Sequence, residues 1–457
     1  MDVMEPKVMA PATLWTRLGA SGRAALRSPV LRNIATVACG TAGAQVITLA
    51  LMPVITRLYG PEAYGVLGVF MSLAFMLIPI AALTYPVAIV LPKHDGDARG
   101  LIRLSLLIAS GFALLAAVFI ALFGETLASQ AGVPQIGPFL MLLPLVLLAG
   151  AALEVTQQWL IRKQRYRLTA GVAVQQAIAH NGLRIAVGLL HASPATLLLS
   201  TIVGPLLHTL MLNWGLRRSA SAQAQEPAIE PQPLSTRELA LQYNDFPLYR
   251  APQMLINAVS QNLPTLVLAV FFGPVAAGFF ALCRQALNVP TQLIGKSVAD
   301  VYYPRISAAV HNHEPITAML AKATAALALV GLLPFALVFC FGPQLFALVF
   351  GEQWAVAGEY ARWLALAEYM IFVSRPCTVA VPALALQGRF LVFEVLSTVL
   401  RIAALMAGAL FLEQAEQTVM AFTTASILIY LSLIASVLLA ARNWHGKADR
   451  QTRRDRP

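Results

Sequence analysis

The sequence predicts an all-α polytopic membrane protein, with about twelve transmembrane helices in two six-helix lobes. Three observations lead there. Of 457 residues, 58% are hydrophobic and 12% charged, about half the charged share of a soluble domain. Apolar runs long enough to cross a hydrocarbon core of about 30 Å recur about twelve times. Lys and Arg gather in alternate connections, the positive-inside pattern that puts both chain ends on the cytoplasmic side.

The elements follow in order. Residues 1–31 form a basic N-terminal segment, in which 12–31 reads as an amphipathic helix lying on the cytoplasmic face. Apolar runs at 32–57, 63–91, 98–122, 136–161, 168–190 and 194–217 build an N-terminal lobe, 32–217. A cytoplasmic linker spans 218–249, where SASAQAQEPAIEPQPLSTRE is too rich in Ala, Gln, Pro and Glu to build a core and reads as flexible. Runs at 250–272, 275–303, 316–340, 359–382, 389–411 and 416–441 build a C-terminal lobe, 250–441, and 442–457 is a basic tail. Basic residues precede span one (Arg23, Arg27, Arg32) and follow spans two (Lys93, Arg99), four (Arg162, Lys163, Arg165, Arg167) and six (Arg217, Arg218, Arg237). The intervening loops GETLASQAGVPQIG, HASP, FFGPVAAG and EQAEQ carry none.

Two turns sit at the same point of each half. Gly60-Pro61-Glu62-Ala63-Tyr64-Gly65 and Gly273-Pro274-Val275-Ala276-Ala277-Gly278 lie 273 − 60 = 213 positions apart, which suggests a duplicated parallel repeat. Between spans nine and ten, GPQLFALVFGEQWAVAGEYARWL lacks Lys and Arg before Arg362 and reads as a periplasmic interfacial helix, with Trp354 and Trp363 at headgroup depth.

The positive charge of +11 follows membrane topology, so nucleic acid is not an expected partner. Cys39, Cys283, Cys340 and Cys377 lie within spans without metal-like spacing, and no cofactor or metal is expected. His311 and His313 (HNHE) have few further ligands nearby. No HExxH, GxSxG, P-loop or paired-carboxylate motif occurs, which argues for transport over catalysis.

Ionisable groups inside spans are costly and mark function by default. Arg284, Asn288, Gln292, Lys296 and Asp300 recur every fourth position on one face of span eight. Arg284, near mid-bilayer, suits phosphate or carboxylate through its bidentate donors; a structural ion pair is the alternative. Lys296 and Asp300 can also pair with each other near the inner surface. Gln253, Asn257 and Gln261, with Asn262 beside them, give span seven a matching stripe that serves either a hydrophilic wall or helix packing. Arg57 follows Pro53, Arg375 precedes Pro376 at a kink, and Arg401 lies seven residues after Glu394, its possible partner. Arg184 stands beside His180 and Asn181. The carboxylates Glu154, Glu368 and Glu394 are fewer than these cations, so a shared cavity should attract an anion, which points to phosphate.

PVITRLYGPEAYGVLGVF (53–70), YPVAIVLPKHDGDARGL (85–101), the stretch from NDFPLYR to DVYYPR (244–305) and FGEQWAVAGEYARWLA (350–365) together resemble the Wzx-type polysaccharide transporters of the MOP superfamily. The resemblance implies two lobes around a central cationic cavity, lined largely by the first, second, seventh and eighth helices. It implies a flippase that carries undecaprenyl-pyrophosphate-linked oligosaccharide repeat units across the bacterial inner membrane by alternating access, for O-antigen, capsule or exopolysaccharide. The implied partners are that lipid-linked oligosaccharide, the membrane, and the polymerase and glycosyltransferases of its pathway. The substrate-binding candidates are Arg284, Arg57, Asn257, Gln261, Asn288, Gln292, Arg375, Arg401 and Lys296, with Asp300 and Glu154 as coupling candidates. The pattern is broken at Leu83-Thr84-Tyr85-Pro86-Val87, where relatives carry an Arg and an acid. A small-solute or drug antiporter of the same superfamily is the runner-up; a membrane polymerase or ligase would need a larger periplasmic loop.

Overall fold

The computed structural model describes residues 29–130, 132–220, 234–311, 314, 316–384 and 386–454. The surface helix expected at 12–31 falls almost wholly outside them, as do His313 and the side chain of His311. Among the described residues twelve long helices form the bundle. The N-terminal lobe holds α1 (Pro29–Leu58), α2 (Pro61–Ala81), α3 (Asp95–Gln130), α4 (Leu143–Arg162), α5 (Tyr166–Leu190) and α6 (Pro194–Ala220). The C-terminal lobe holds α7 (251–272), α8 (274–311), α9 (Ile316–Phe350), α10 (Ala355–Ala383), α11 (Gln387–Phe411) and α12 (Ala415–Arg454). No strand occurs among the described residues.

By length and apolar character ten segments among the described residues could cross a membrane, and one of these, Phe246–Val289, is really two helices. Gly273 separates them with φ 84° and ψ 173°, a left-handed conformation that glycine adopts at little cost. The chain reverses there: Arg284 and Gln261, 23 residues apart, touch side chain to side chain, whereas a straight helix would part them by about 34 Å. Helix α5 completes the twelve, made less apolar by Gln175, Gln176, His180, Asn181 and Arg184.

The second span departs from its expected single run over 63–91. Helix α2 stops at Ala81, and Leu83 and Thr84 both take positive φ (49° and 56°) before the short helix Tyr85–Ala88. The Thr84 hydroxyl donates to the Phe246 carbonyl at 3.0 Å, so the linker segment that leads into α7 sustains the strained corner.

Part of the segment read as a flexible linker is folded. Thr236–Gln242 forms a helix with a complete capping box: the Ser235 hydroxyl accepts from the Glu238 N–H, and the Glu238 carboxylate accepts from the Ser235 N–H. Its Leu239 is fully buried against Tyr85, Ala88, Leu101 and Val155, while the Tyr85 hydroxyl donates to the Ala240 carbonyl at 3.0 Å.

The end of the bundle carrying Gly60 and Gly273 is where the lobes meet most closely. A Cβ on Gly65 would overlap the Pro274 carbonyl, and a Cβ on Gly278 would overlap the Pro61 carbonyl. Around this crossing pack Tyr59, Tyr64, Phe279, Phe280, Trp354 and Tyr360. Trp354, expected in an interfacial aromatic belt, is turned into the protein instead. It is 0% exposed, its ring meets Tyr64 edge-on at 5.1 Å, and its indole N–H donates to the Thr56 carbonyl at 2.9 Å. The stretch read as an interfacial helix is set off from the span before it: α9 breaks at Phe341 (φ −119°, ψ 21°), and residues 342–350 after the kink form a short helix of their own that the 3-10 turn Glu352–Trp354 joins to α10. Burying a tryptophan with its N–H satisfied outweighs leaving it at the interface. Trp363 is half-buried, and its indole N–H donates to Glu416 at 3.3 Å.

A candidate binding site of two adjoining cavities

Two cavities share the wall formed by α8. The first, about 460 Å³, lies between the lobes, with Gln45 of α1, Tyr64 and Ser72 of α2, Arg184 of α5 and Thr201 of α6 facing Asn262 of α7 and Arg284, Asn288 and Gln292 of α8. Its lining includes two guanidiniums and no carboxylate. Arg184 is held from its own lobe: Nη2 donates to the Thr201 hydroxyl at 2.6 Å, and the Tyr59 hydroxyl donates to the Arg184 carbonyl at 3.1 Å. Its Nε is buried without a partner.

The second cavity, about 370 Å³, lies wholly inside the C-terminal lobe, enclosed by α7, α8, α10, α11 and α12. Arg284, Arg375 and Arg401 line it together with Glu368 and Glu394. Within 4 Å no ion pair joins any of these arginines to a carboxylate among the described residues. Arg284 donates from Nη2 to the Gln261 side-chain oxygen at 3.0 Å and from Nη1 to the Gln261 carbonyl. Arg401 lies over the Tyr430 ring at 5.1 Å, and Arg375 packs against Gly295, where a Cβ would sit 2.8 Å from its Nε. The Nε atoms of both Arg375 and Arg401 are buried without a partner. Glu394 accepts from the Asn257 amide at 3.3 Å. Seven residues along a helix separate two groups by about 10.5 Å of rise, so Glu394 bonds across to α7 and Arg401 turns to α12 instead of pairing with each other.

Of the expected site residues, Arg284, Asn288 and Gln292 face both cavities, and Asn257, Gln261, Arg375 and Arg401 face the one inside the lobe. Arg57 lies apart from both, donating from Nη2 to the Leu348 carbonyl at 2.8 Å, where it ties α1 to α9. Glu154, half-buried in α4, lines neither cavity and feels the charge of Arg250. The backbone at Lys296 and Asp300 continues α8, and both side chains lie outside the described residues. Arg184, Glu368 and Glu394, counted among the intramembrane charges but not among the expected substrate-binding residues, line the cavities as well. Their signal was present as polar residues within apolar runs, with His180, Asn181 and Arg184 on one side of α5. Among the described residues no group of three His, Cys, Asp or Glu side chains gathers as metal ligands would.

Known proteins are similar to this chain to differing degrees. The succinoglycan biosynthesis transport protein ExoT of Rhizobium meliloti (strain 1021) is 23% identical over 359 residues, covering 78% of this chain and 69% of its own. An inward-facing multidrug resistance MATE family transporter of the MOP superfamily superposes with TM-score 0.67 at 13% identity, over 88% of this chain and 95% of its own. The lipid II flippase MurJ, in an inward closed conformation, superposes with TM-score 0.66 at 12% identity, over 88% and 87%. These two show the common fold. The model of the family described as polysaccharide biosynthesis protein matches residues 54–359, about two thirds of the sequence, and so the chain belongs to that family.

Proposed function

We propose that this protein is a flippase that moves an undecaprenyl-pyrophosphate-linked oligosaccharide across the bacterial inner membrane by alternating access. The observation that carries the reading is the inter-lobe cavity, with Arg184 on one lobe, Arg284 on the other and no acid in its lining. An anionic headgroup gains from both guanidiniums there and meets no like charge. The lipid tail stays in the bilayer. Both chain ends face the cytoplasm, on the side where Arg162 binds Asp95 at 3.0 Å and the Pro92 carbonyl at 2.6 Å. The Gly60–Gly273 end then faces the periplasm, and the tight α2–α8 crossing closes it. Asp300 and Glu154 stand as coupling candidates, and the pathway's polymerase and glycosyltransferases as partners.

The test is export of surface polysaccharide in cells that depend on this chain. Arg184→Ala and Arg284→Ala each lower it at least tenfold at unchanged membrane abundance, and Arg→Lys at each position restores part. Normal export by both alanine variants, or efflux of organic cations by the purified protein, would overturn the reading.

A further inference from the structure

The two cavities differ in chemistry, and that difference divides the headgroup between them. A carboxylate in a binding wall accepts hydrogen bonds, so it favours a ligand that brings donors of its own. Phosphate at neutral pH brings few or none. A sugar ring brings hydroxyl groups that both donate and accept. The cavity inside the C-terminal lobe suits such a ligand: it combines carboxylates and guanidiniums with the side-chain amides of Asn257 and Asn288 and the hydroxyls of Ser374 and Thr398. Phe390 and Phe393, stacked with centroids 6.5 Å apart at 24°, also line it and offer an apolar surface to the C–H side of a ring. Its volume of about 370 Å³ falls in the range of roughly 300–1,000 Å³ that small-molecule sites occupy.

A second observation is independent of the lining. The buried Nε atoms of Arg375 and Arg401 have no partner, although leaving a buried polar group unsatisfied is costly. Both guanidiniums also line this cavity, where an occupant with acceptor oxygens would meet their outer N–H groups. Three arginines against two glutamates leave the cavity one positive charge in excess.

We infer that the C-terminal lobe cavity is a saccharide-recognition pocket that holds a sugar unit of the transported headgroup, and holds an acidic sugar more tightly than a neutral one. The assignment rests on the proposed flippase function for the identity of its ligand. Arg284, Asn288 and Gln292, exposed to both cavities, form the partition across which sugar and pyrophosphate are joined.

The test uses the purified full chain in lipid nanodiscs, with glucose, galactose, glucuronate and inorganic pyrophosphate as probes and the shift of the thermal midpoint as readout. At least one saccharide raises the midpoint saturably, glucuronate at lower concentration than either hexose. Glu394→Gln and Arg401→Lys weaken saccharide binding at least tenfold and leave the response to pyrophosphate intact, whereas Arg184→Ala does the reverse. The pocket assignment is overturned if no saccharide binds while pyrophosphate does, or if pyrophosphate competes with the saccharide for one site. It is equally overturned if Glu394→Gln alters only a response to sodium or protons. Absence of pyrophosphate binding, together with normal export by Arg184→Ala, would instead sink the flippase reading and leave saccharide binding to be judged on its own titration.

Discussion

Gly65 lies against the Pro274 carbonyl with no room for a side chain between them, and Gly278 lies in the same way against Pro61. Each member of one contact is 213 residues from its counterpart in the other, since 274 − 61 and 278 − 65 are equal. Two turns that looked like loose signs of duplication therefore pack on each other, reciprocally, as a two-fold interface does.

Gly65→Leu should pry this crossing open. Forcing extra methylenes into a packed site costs about 1–3 kcal/mol, and here the obstacle is a backbone carbonyl. Cys283 reports the change, because its thiol is buried beside the crossing and donates to the Ala357 carbonyl at 2.8 Å. With Cys39, Cys340 and Cys377 replaced by Ala, Cys283 should resist a thiol reagent in the parent and react at least tenfold faster after Gly65→Leu. Equal protection in both would show that the glycine contact does not hold this end closed.

Trp354 and Gln353 both donate to the Thr56 carbonyl, at 2.9 and 3.0 Å, yet they should differ in weight. Trp354→Ala empties a fully buried ring site, for which the cost is about 3–5 kcal/mol. Gln353→Ala removes one of two donors and should cost about 0.5–1.5 kcal/mol. Denaturant unfolding of the purified protein separates the two, and equal losses would contradict the burial argument.

The folded linker helix should detach when its anchor is made polar. Leu239→Ser places a hydroxyl among Tyr85, Leu101 and Val155, so cleavage by a protease between 234 and 249 should accelerate at least tenfold while the transmembrane fragments stay intact. Unchanged cleavage would mean that the hydrogen bonds from Tyr85 and to Asp97 hold the segment without Leu239.

The same helix carries a pH signature. The Glu238 carboxyl is held below its usual value of 4.5, first by the Ser235 N–H and then by the Ser235 hydroxyl. A carboxyl depressed in the folded state contributes stability above its unfolded value and loses it as pH falls through the folded one. Amide protection over 236–242 should therefore stay level from pH 8 to about 5 and decline only below about 4.5. Glu238→Gln should abolish that decline; a decline near neutrality would point to another group.

The bundle was legible because apolar length and loop charge are one-dimensional signals. Reversal at Gly273 was legible as well, since Gly-Pro inside apolar sequence breaks a helix wherever it occurs. Trp354 was misread because an aromatic near a span end looks the same at an interface and in a core until its neighbours Tyr64 and Phe279, about 290 and 75 residues away, are known. The same limit applies to the site. Stripes on α7 and α8 were visible, but nothing in the order of residues tells which side of α8 meets α2 and which meets α11. That choice separates Arg184 from Glu394, and with them the two cavities.

The glycine crossing also sets a scale for movement. Gln292 lies 14 residues beyond Gly278 on α8, about 21 Å along the helix. With the backbones pinned at Gly65 and Gly278, a tilt of roughly 10° between lobes would shift Gln292 by about 3.7 Å relative to α2. Until the crossing itself parts to open the opposite side, it would hardly move, and the inter-lobe cavity would change width along its length. The cavity inside the C-terminal lobe would ride on the arm undeformed, so its grip on an occupant would be the same at the start and the end of the stroke.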